Sequence, residues 1–136
     1  MPHPAGLPDL FIDRSLGRIQ VPRLLRDAGL RLVTLAERYG VPADENVTDE
    51  QWITDAGLRG EAVFMKDGRV RYNAVEKGAI VEHRVRCFCL SRRDLTAEEM
   101  ADRFLRNLER IEAVCADAGP FIYAVHDSRV ERLLLN

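Results

Sequence analysis

The sequence predicts an α/β domain of three layers, in which helices cover both faces of a mainly parallel β-sheet. Short apolar runs of strand length recur along the chain, and segments with helical spacing of apolar residues separate most of them. The sequence contains no internal repeat and no low-complexity segment. A chain of 136 residues is long enough to bury a core, so we expect residues 1–136 to form a single domain.

The predicted elements alternate between strand and helix along the first two thirds of the chain. Strands are short apolar runs, and helices have apolar residues three or four positions apart. The expected strands are residues 10–12, 30–35, 62–65 and 85–90. The remaining segments are expected to be an irregular proline-rich lead-in at 1–8, helices at 21–28 and 75–81, a loop at 37–47, and a helix that begins at Thr48 and ends at 57–60.

Two helices have recognisable N-terminal signals. Thr48 and Gln51 have the spacing of a capping box, and so have Thr96 and Glu99. The second signal begins a long predicted helix over residues 97–116.

The C-terminal segment of the chain is expected to form one edge of the sheet. Gly119 and Pro120 end the long helix, and apolar strands are expected at 121–125 and 130–135. A polar turn between these two strands predicts a hairpin, which would give the parallel sheet an antiparallel C-terminal edge.

Composition places the chain among ordinary globular proteins. Its formal net charge of −2 does not by itself indicate a nucleic-acid partner. No run approaches the ~20 apolar residues of a membrane span, and the N-terminus lacks the pattern of a secretory signal. Three cysteines without a framework spacing predict a reducing cytoplasm, and the alternating Cys87 and Cys89 are expected to be buried core residues.

Three acidic residues are the candidate functional groups. Asp13 and Asp67 follow predicted buried strands, one directly and one after Lys66, and Asp49 lies at the start of the helix between them. Carboxylates at the carboxyl ends of parallel strands meet in the crevice where open α/β sheets bind their ligands. Such a group of acids favours a hard divalent cation and metal-assisted chemistry on a phosphate ester.

Each acid also has a purely structural interpretation. Asp13 could accept backbone hydrogen bonds in the turn that follows it, and Asp49 could complement the dipole of its helix. Asp67 and Gly68 form a hairpin signal, which would pair residues 63–65 with residues 70–72. No rival constellation is present, since the sequence has no glycine-rich phosphate loop, no CxxC and no HxxH spacing.

The arrangement resembles a PIN-like domain, and in particular the small VapC-type toxins. The matching features are a strand that ends in Asp13, a Thr-Asp-Glu helix that carries Asp49, and a third strand that runs into Met-Lys-Asp-Gly-Arg around Asp67. The resemblance implies an endoribonuclease that depends on Mg²⁺ or Mn²⁺ and is held inactive by a protein antitoxin. These three acids would then hold the metal and carry catalysis.

The resemblance also predicts further residues and one departure. RNA phosphates would be contacted by Arg14, Lys66, Arg69 and Arg71. Many PIN nucleases have a fourth acid shortly after the third, where this chain has Arg69; Glu76 or Glu50 is the candidate for that role.

The sequence is compatible with two other functions, and it leaves one question about assembly open. The chain could be a catalytically silent PIN-like module that binds RNA or a protein, because fold does not guarantee chemistry. A receiver-like phosphoacceptor is a weaker alternative, since the first strand does not end in an acidic pair. Residues 133–135 could pair across a homodimer or simply complete the sheet.

Overall fold

The strands of the protein lie in one six-stranded sheet, as the computed structural model shows for residues 2–135. In chain order the strands are β1 (Leu10–Ile12), β2 (Leu32–Thr34), β3 (Ala62–Met65), β4 (Arg86–Leu90), β5 (Phe121–Val125) and β6 (Val130–Leu133). Their order across the sheet is β2-β1-β3-β4-β5-β6. Every neighbouring pair is parallel except β5 and β6, which are antiparallel. The predicted parallel sheet and its antiparallel C-terminal edge are confirmed.

Helices cover both faces of the sheet and complete the three predicted layers. They are α1 (Gln20–Asp27), α2 (Leu35–Tyr39), α3 (Asp49–Leu58), α4 (Ala74–Glu82), α5 (Ala97–Arg106) and α6 (Leu108–Val114). Helices α1, α5 and α6 contribute to one buried apolar cluster, and α2, α3 and α4 contribute to another. None of the helices within residues 2–135 is long and apolar enough to cross a membrane.

The central strands supply side chains to both cores because successive residues of a strand point to opposite faces. In β4, Phe88 belongs to the cluster of α1 and α5, whereas Cys87 and Cys89 belong to the other. Both cysteines are buried, as predicted, and burial raises the pKa of the Cys89 thiol to about 12. These thiols therefore stay protonated and act as small apolar side chains.

The second strand is shorter than predicted, and a helix replaces the beginning of the predicted loop. The hydroxyl of Thr34 accepts a hydrogen bond from the backbone N–H of Glu37, and the Glu37 carboxylate accepts one from the N–H of Thr34. This reciprocal capping box starts α2 at Leu35. The prediction was wrong here because the β-branched Thr34 was taken only as a strand residue.

The long predicted helix over residues 97–116 is interrupted at Asn107. Its capping box at Thr96 and Glu99 is present, but Asn107 separates α5 from α6. The buried Asn107 amide donates to the carbonyls of Arg103 and His126, each at 2.9 Å. A side chain that hydrogen-bonds the backbone competes with the helix, and here it also fastens the helix to the turn after β5.

The chain after β3 does not form the alternative hairpin at Asp67 and Gly68. Residues Arg69–Tyr72 form a short 3-10 turn that leads into α4. β3 pairs with β1 and β4, so its ladder has no place for residues 70–72.

Candidate active site

A cavity of about 490 Å³ lies at the carboxyl ends of β1 and β3. Four carboxylates line it, those of Asp13, Asp49, Asp67 and Glu76. The first three are the acids that the sequence predicted would converge. Within residues 2–135, however, no three His, Cys, Asp or Glu side chains come close enough together to enclose a metal ion. The acids therefore surround one cavity without forming a closed cluster.

Asp13 is fixed by hydrogen bonds to the end of the neighbouring strand. Its backbone N–H donates to the carbonyl of Phe64 at 3.0 Å, which extends the pairing of β1 with β3. The Ser15 hydroxyl donates to Asp13 Oδ2 at 2.5 Å and accepts from the backbone N–H of Lys66 at 3.0 Å. Burial raises the pKa of Asp13 above its usual value; the Ser15 hydrogen bond opposes this rise, and the charge of Asp49 adds to it.

Asp49 is attached to the core by a tryptophan. The indole Nε1–H of Trp52 donates to Asp49 Oδ1 at 2.9 Å, and the indole ring stacks on Phe11 with 5.1 Å between ring centroids. On the solvent side, a guanidinium nitrogen of Arg14 lies 3.9 Å from the same oxygen. Asp49 lies in the first turn of α3, capped by Thr48, but its carboxylate is also held toward the cavity.

Asp67 organises the turn that replaces the hairpin. Its Oδ1 accepts a hydrogen bond from the backbone N–H of Arg69 at 3.0 Å. Its Oδ2 lies 3.9 Å from Nε of Arg69 and 3.9 Å from Nε of Arg93. These two cations bring positive charge to the side of the cavity where Asp67 lies.

Glu76, one of the two residues predicted as a possible fourth acid, also lines the cavity. It lies in the first turn of α4, where Asn73 Oδ1 accepts from its backbone N–H at 3.0 Å. Burial raises the pKa of Glu76, and the charges of Asp49 and Asp13 raise it further. The alternative fourth acid, Glu50, is exposed and does not line the cavity.

The donor chemistry of the cavity suits a hard divalent cation. Its polar lining includes carboxylate oxygens, the hydroxyl of Ser15 and the amide of Asn73, and oxygen ligands of this kind favour Mg²⁺ or Mn²⁺. The pKa values of Asp13 and Glu76 are raised mainly by burial and further by neighbouring acids, and a bound cation would favour the charged form of both. Because Mg²⁺ keeps several waters and takes only one or two carboxylates directly, it does not need a closed cluster of acids.

The predicted basic residues occupy different places around the cavity. Arg69 lines it, and Arg14 reaches Asp49 at its edge. Lys66 instead lines a neighbouring groove beside α1 and α5. Arg71 lies over the ring of Tyr72, with 4.6 Å between its guanidinium carbon and the ring centroid.

Several residues of the cavity were not singled out from the sequence as site residues. Ser15, Trp52, Tyr72 and Asn73 line the cavity, and Arg93 lies beside it, 3.9 Å from Asp67. Asn73 had a usable signal, since Asn before a helix is a preferred N-cap. Arg93 had another, because it follows β4 at the same edge of the sheet as Asp13 and Asp67.

In this mainly parallel sheet, single acids follow two adjacent strands, and two more acids lie at the starts of helices. This combination of fold and site indicates the class to which the protein belongs. The chain belongs to the PIN-like domain family, because the model of that family, described as PIN like domain, matches residues 8–92. This range contains all four acids of the cavity.

A curated relative supports the same membership. The chain is 44% identical over 130 residues to a protein of Mycobacterium tuberculosis (strain ATCC 25618 / H37Rv) named "Putative ribonuclease VapC45". The match covers 96% of this chain and 94% of the relative. No solved structure gave a significant match to the chain.

Proposed function

We propose that this protein is a metal-dependent endoribonuclease and the toxin component of a toxin–antitoxin pair. The observation that carries the proposal is the convergence of Asp13, Asp49, Asp67 and Glu76 on one cavity. The name of the curated relative, a VapC ribonuclease, supports the reaction class. The reaction would be hydrolysis of RNA phosphodiester bonds.

The four acids would hold one or two Mg²⁺ or Mn²⁺ ions. A bound divalent ion supplies a water of lowered pKa and stabilises the charge of the leaving oxygen. Asp13 is the central residue of this set, because Ser15 orients its carboxylate and the β1–β3 pairing fixes its backbone. Arg69 and Arg93, on the side of Asp67, would attract the phosphate and stabilise the charge that develops on it.

An exposed aromatic ring at the cavity supports RNA as the substrate. Tyr72 lines the cavity and is 76% exposed. Arg71 covers one face of the ring, so the other face is available to stack on an unpaired base. Arg14, Lys66 and Arg69 would contact the phosphates of the strand.

The central experiment compares the wild type with Asp13→Asn in an RNA cleavage assay with Mg²⁺, with Mn²⁺ and with EDTA. We expect cleavage only with a divalent ion, and a loss of at least about a thousandfold in kcat/KM for Asp13→Asn, which is roughly 4 kcal/mol of transition-state stabilisation. Glu50→Gln is the matched control, because it neutralises an acid next to Asp49 that lies outside the cavity, and it should retain activity. Cleavage that survives in Asp13→Asn would assign the activity elsewhere.

A catalytically silent module that binds RNA or a protein is the second candidate. It is favoured by one observation, the lack within residues 2–135 of three acids at metal-binding distance from one another. In that case the wild type would not cleave RNA, and RNA affinity would persist in a variant with Asp13, Asp49 and Asp67 all changed to Asn.

The toxin role implies a cytoplasmic protein with a small antitoxin partner. Coexpression with the product of a neighbouring gene should suppress both cleavage and growth inhibition. We also propose a homodimer in which residues 133–135 of two copies pair with each other. Light scattering of the purified protein would test this.

A further inference from the structure

A groove of about 690 Å³ adjoins the candidate active site on the face of the sheet that α1 and α5 cover. It lies between the turn that follows β1 and the first turns of these two helices, and we call it the Ile19 groove. Its lining residues include Ser15, Arg18, Ile19, Lys66, Ala97 and Met100. Ser15 also lines the cavity of the acids, where its hydroxyl donates to Asp13. The groove therefore begins beside the position at which a scissile phosphate would lie.

The charged side chains that line the groove are both cations. Arg18 and Lys66 line it, none of the described lining residues is acidic, and neither cation forms an ion pair within residues 2–135. Arg18 also borders a smaller cavity that contains Glu45, but these two side chains are not paired. Glu98, in the first turn of α5, is exposed and does not line the groove. The positive charge of the groove therefore favours an anionic occupant.

An exposed apolar side chain belongs to the same groove. Ile19 is 68% exposed and lies next to Arg18, directly before α1. Proteins that bind single strands combine cations for the phosphates with side chains that contact the faces of the bases. Sites for drug-sized ligands have volumes of roughly 300–1,000 Å³, and a nucleotide is a ligand of that size. The groove therefore has the charge, the apolar contact and the volume that one nucleotide needs.

The groove and Tyr72 lie on opposite sides of the sheet edge. The groove is beside α1 and α5, whereas Tyr72 leads into α4, which packs on the other face. Asp13 and Asp67 follow the strands that separate these two faces. A single strand that stacks one base on Tyr72 would pass over the acids and continue into the groove.

We propose that the Ile19 groove binds a nucleotide that adjoins the scissile position of a single-stranded RNA. Arg18 and Lys66 would bind its phosphate, and Ile19 would contact the face of its base. An acidic segment of a protein would also satisfy the two cations, but the continuity of the groove with the acids favours the substrate. The proposal rests on the proposed function, because it takes the occupant to be part of the RNA that is cleaved.

The test measures the binding of fluorescein-labelled hexauridylate by fluorescence anisotropy, in EDTA and at several salt concentrations. Arg18→Gln and Ile19→Ser should each weaken binding about three- to tenfold at low salt. Arg18→Gln should also reduce the slope of log affinity against log salt concentration by about 0.7, the value for one phosphate contact of a single strand. Ile19→Ser removes no charge and should leave this slope unchanged.

Two residues at the opposite edge of the sheet supply matched controls. Helix α3 ends at Leu58 and Arg59 follows it, before the amino end of β3. Leu58 is 72% exposed, and Arg59 is exposed as well. Leu58→Ser and Arg59→Gln should retain the affinity and the salt dependence of the wild type. The variants should fold, because all four positions are exposed and serine is a preferred residue directly before a helix such as α1; thermal melting would check this.

Three results would overturn the proposal. They are no binding of hexauridylate by the wild type, equal losses in the groove variants and their controls, and displacement of the RNA by a hexaglutamate peptide as effective as that by unlabelled hexauridylate. The last result would identify an acidic protein segment as the occupant. Because binding in EDTA needs neither metal nor cleavage, the outcome is separate from that of the proposed function. A protein that binds RNA through the groove and does not cleave it would contradict the nuclease and support the groove.

Discussion

The two ends of β3 have carboxylates in opposite surroundings. At its amino end Glu61 is buried and accepts a pair of hydrogen bonds from the guanidinium of Arg38, which is also buried. Asp13 follows the neighbouring parallel strand β1 and lies beside the carboxyl end of β3, and it has one side-chain hydrogen-bond partner within residues 2–135, the hydroxyl of Ser15. Glu76, across the cavity, forms no ion pair within the described residues. The charge of Glu61 is therefore balanced by a buried guanidinium, whereas Asp13 and Glu76 have no ion-pair partner within residues 2–135.

The difference separates a structural acid from a candidate functional one. A buried carboxylate is tolerated when a guanidinium and hydrogen bonds accompany it, as at Glu61. At the cavity, burial and to a lesser extent the charges of neighbouring acids raise the pKa values of Asp13 and Glu76, so their charged forms are less favourable in the folded protein. A bound cation would offset this cost, so the lack of an ion-pair partner for Asp13 and Glu76 within the described residues favours a functional interpretation of this edge.

The largest expected effect comes from removing the positive charge that pairs with Glu61 at the amino end of β3. Arg38→Met should lower the free energy of unfolding by roughly 3–5 kcal/mol, because it leaves a buried charge on Glu61. Urea denaturation would measure the loss. The double variant Arg38→Met with Glu61→Leu should recover most of the stability, since both charges are then removed. A single variant as stable as the wild type would mean that the pair is solvated in solution.

A divalent ion should have the next largest effect on stability, and it should act at the cavity beside the carboxyl end of β3. Binding to the folded state alone stabilises by about 2.7 kcal/mol when the ion concentration is a hundred times its dissociation constant. Thermal melting with increasing Mg²⁺ or Mn²⁺ would show this. Glu76→Gln should reduce the stabilisation, and Glu50→Gln should not. If the melting temperature is unaffected by either ion, the uncompensated acids are not a metal site.

Removing the Ser15 hydroxyl that donates to Asp13 should have a moderate effect on activity. Ser15→Ala should lower kcat/KM roughly 10- to 100-fold, the usual cost of losing a group that orients a metal ligand. Because the Ser15 hydrogen bond lowers the pKa of Asp13, its loss should move the acidic limb of the pH–rate profile to higher pH. Ser15→Thr keeps the hydroxyl and should retain most of the activity. An unchanged profile in Ser15→Ala would exclude this orienting role.

The smallest effect is the pH dependence of stability in the metal-free protein. Since the pKa of Asp13 is raised on folding, the folded state binds more protons than the unfolded state between the unfolded and folded pKa values. The contribution of Asp13 to stability therefore falls as pH rises through this window. Asp13→Asn should equal the wild type in stability below the window and exceed it above, by on the order of 1 kcal/mol or less. Denaturation at several pH values would measure the difference, and a variant that is less stable than the wild type at neutral pH would contradict it.

Local signals in the sequence predicted much of the fold. The apolar runs gave the strand positions, and the capping residues Thr48 and Thr96 marked the helix starts, because both signals depend on neighbours only a few positions away. The interruption at Asn107 was not predictable in this way. It depends on the carbonyl of His126, nineteen positions further along the chain.

The sequence by itself predicted that Asp13 and Asp67 would lie at one edge of a parallel sheet, since strand direction fixes where the carboxyl ends meet, and the resemblance to PIN-like domains added Asp49. Tertiary structure decided which further acids join them. Glu76 lines the cavity and Glu50 does not, because the docking of α3 and α4 on the sheet sets which side of each helix faces it. Whether the negative charge of a carboxylate is balanced by a nearby cation depends on residues that folding brings together. The spacing of residues along the chain does not contain that information.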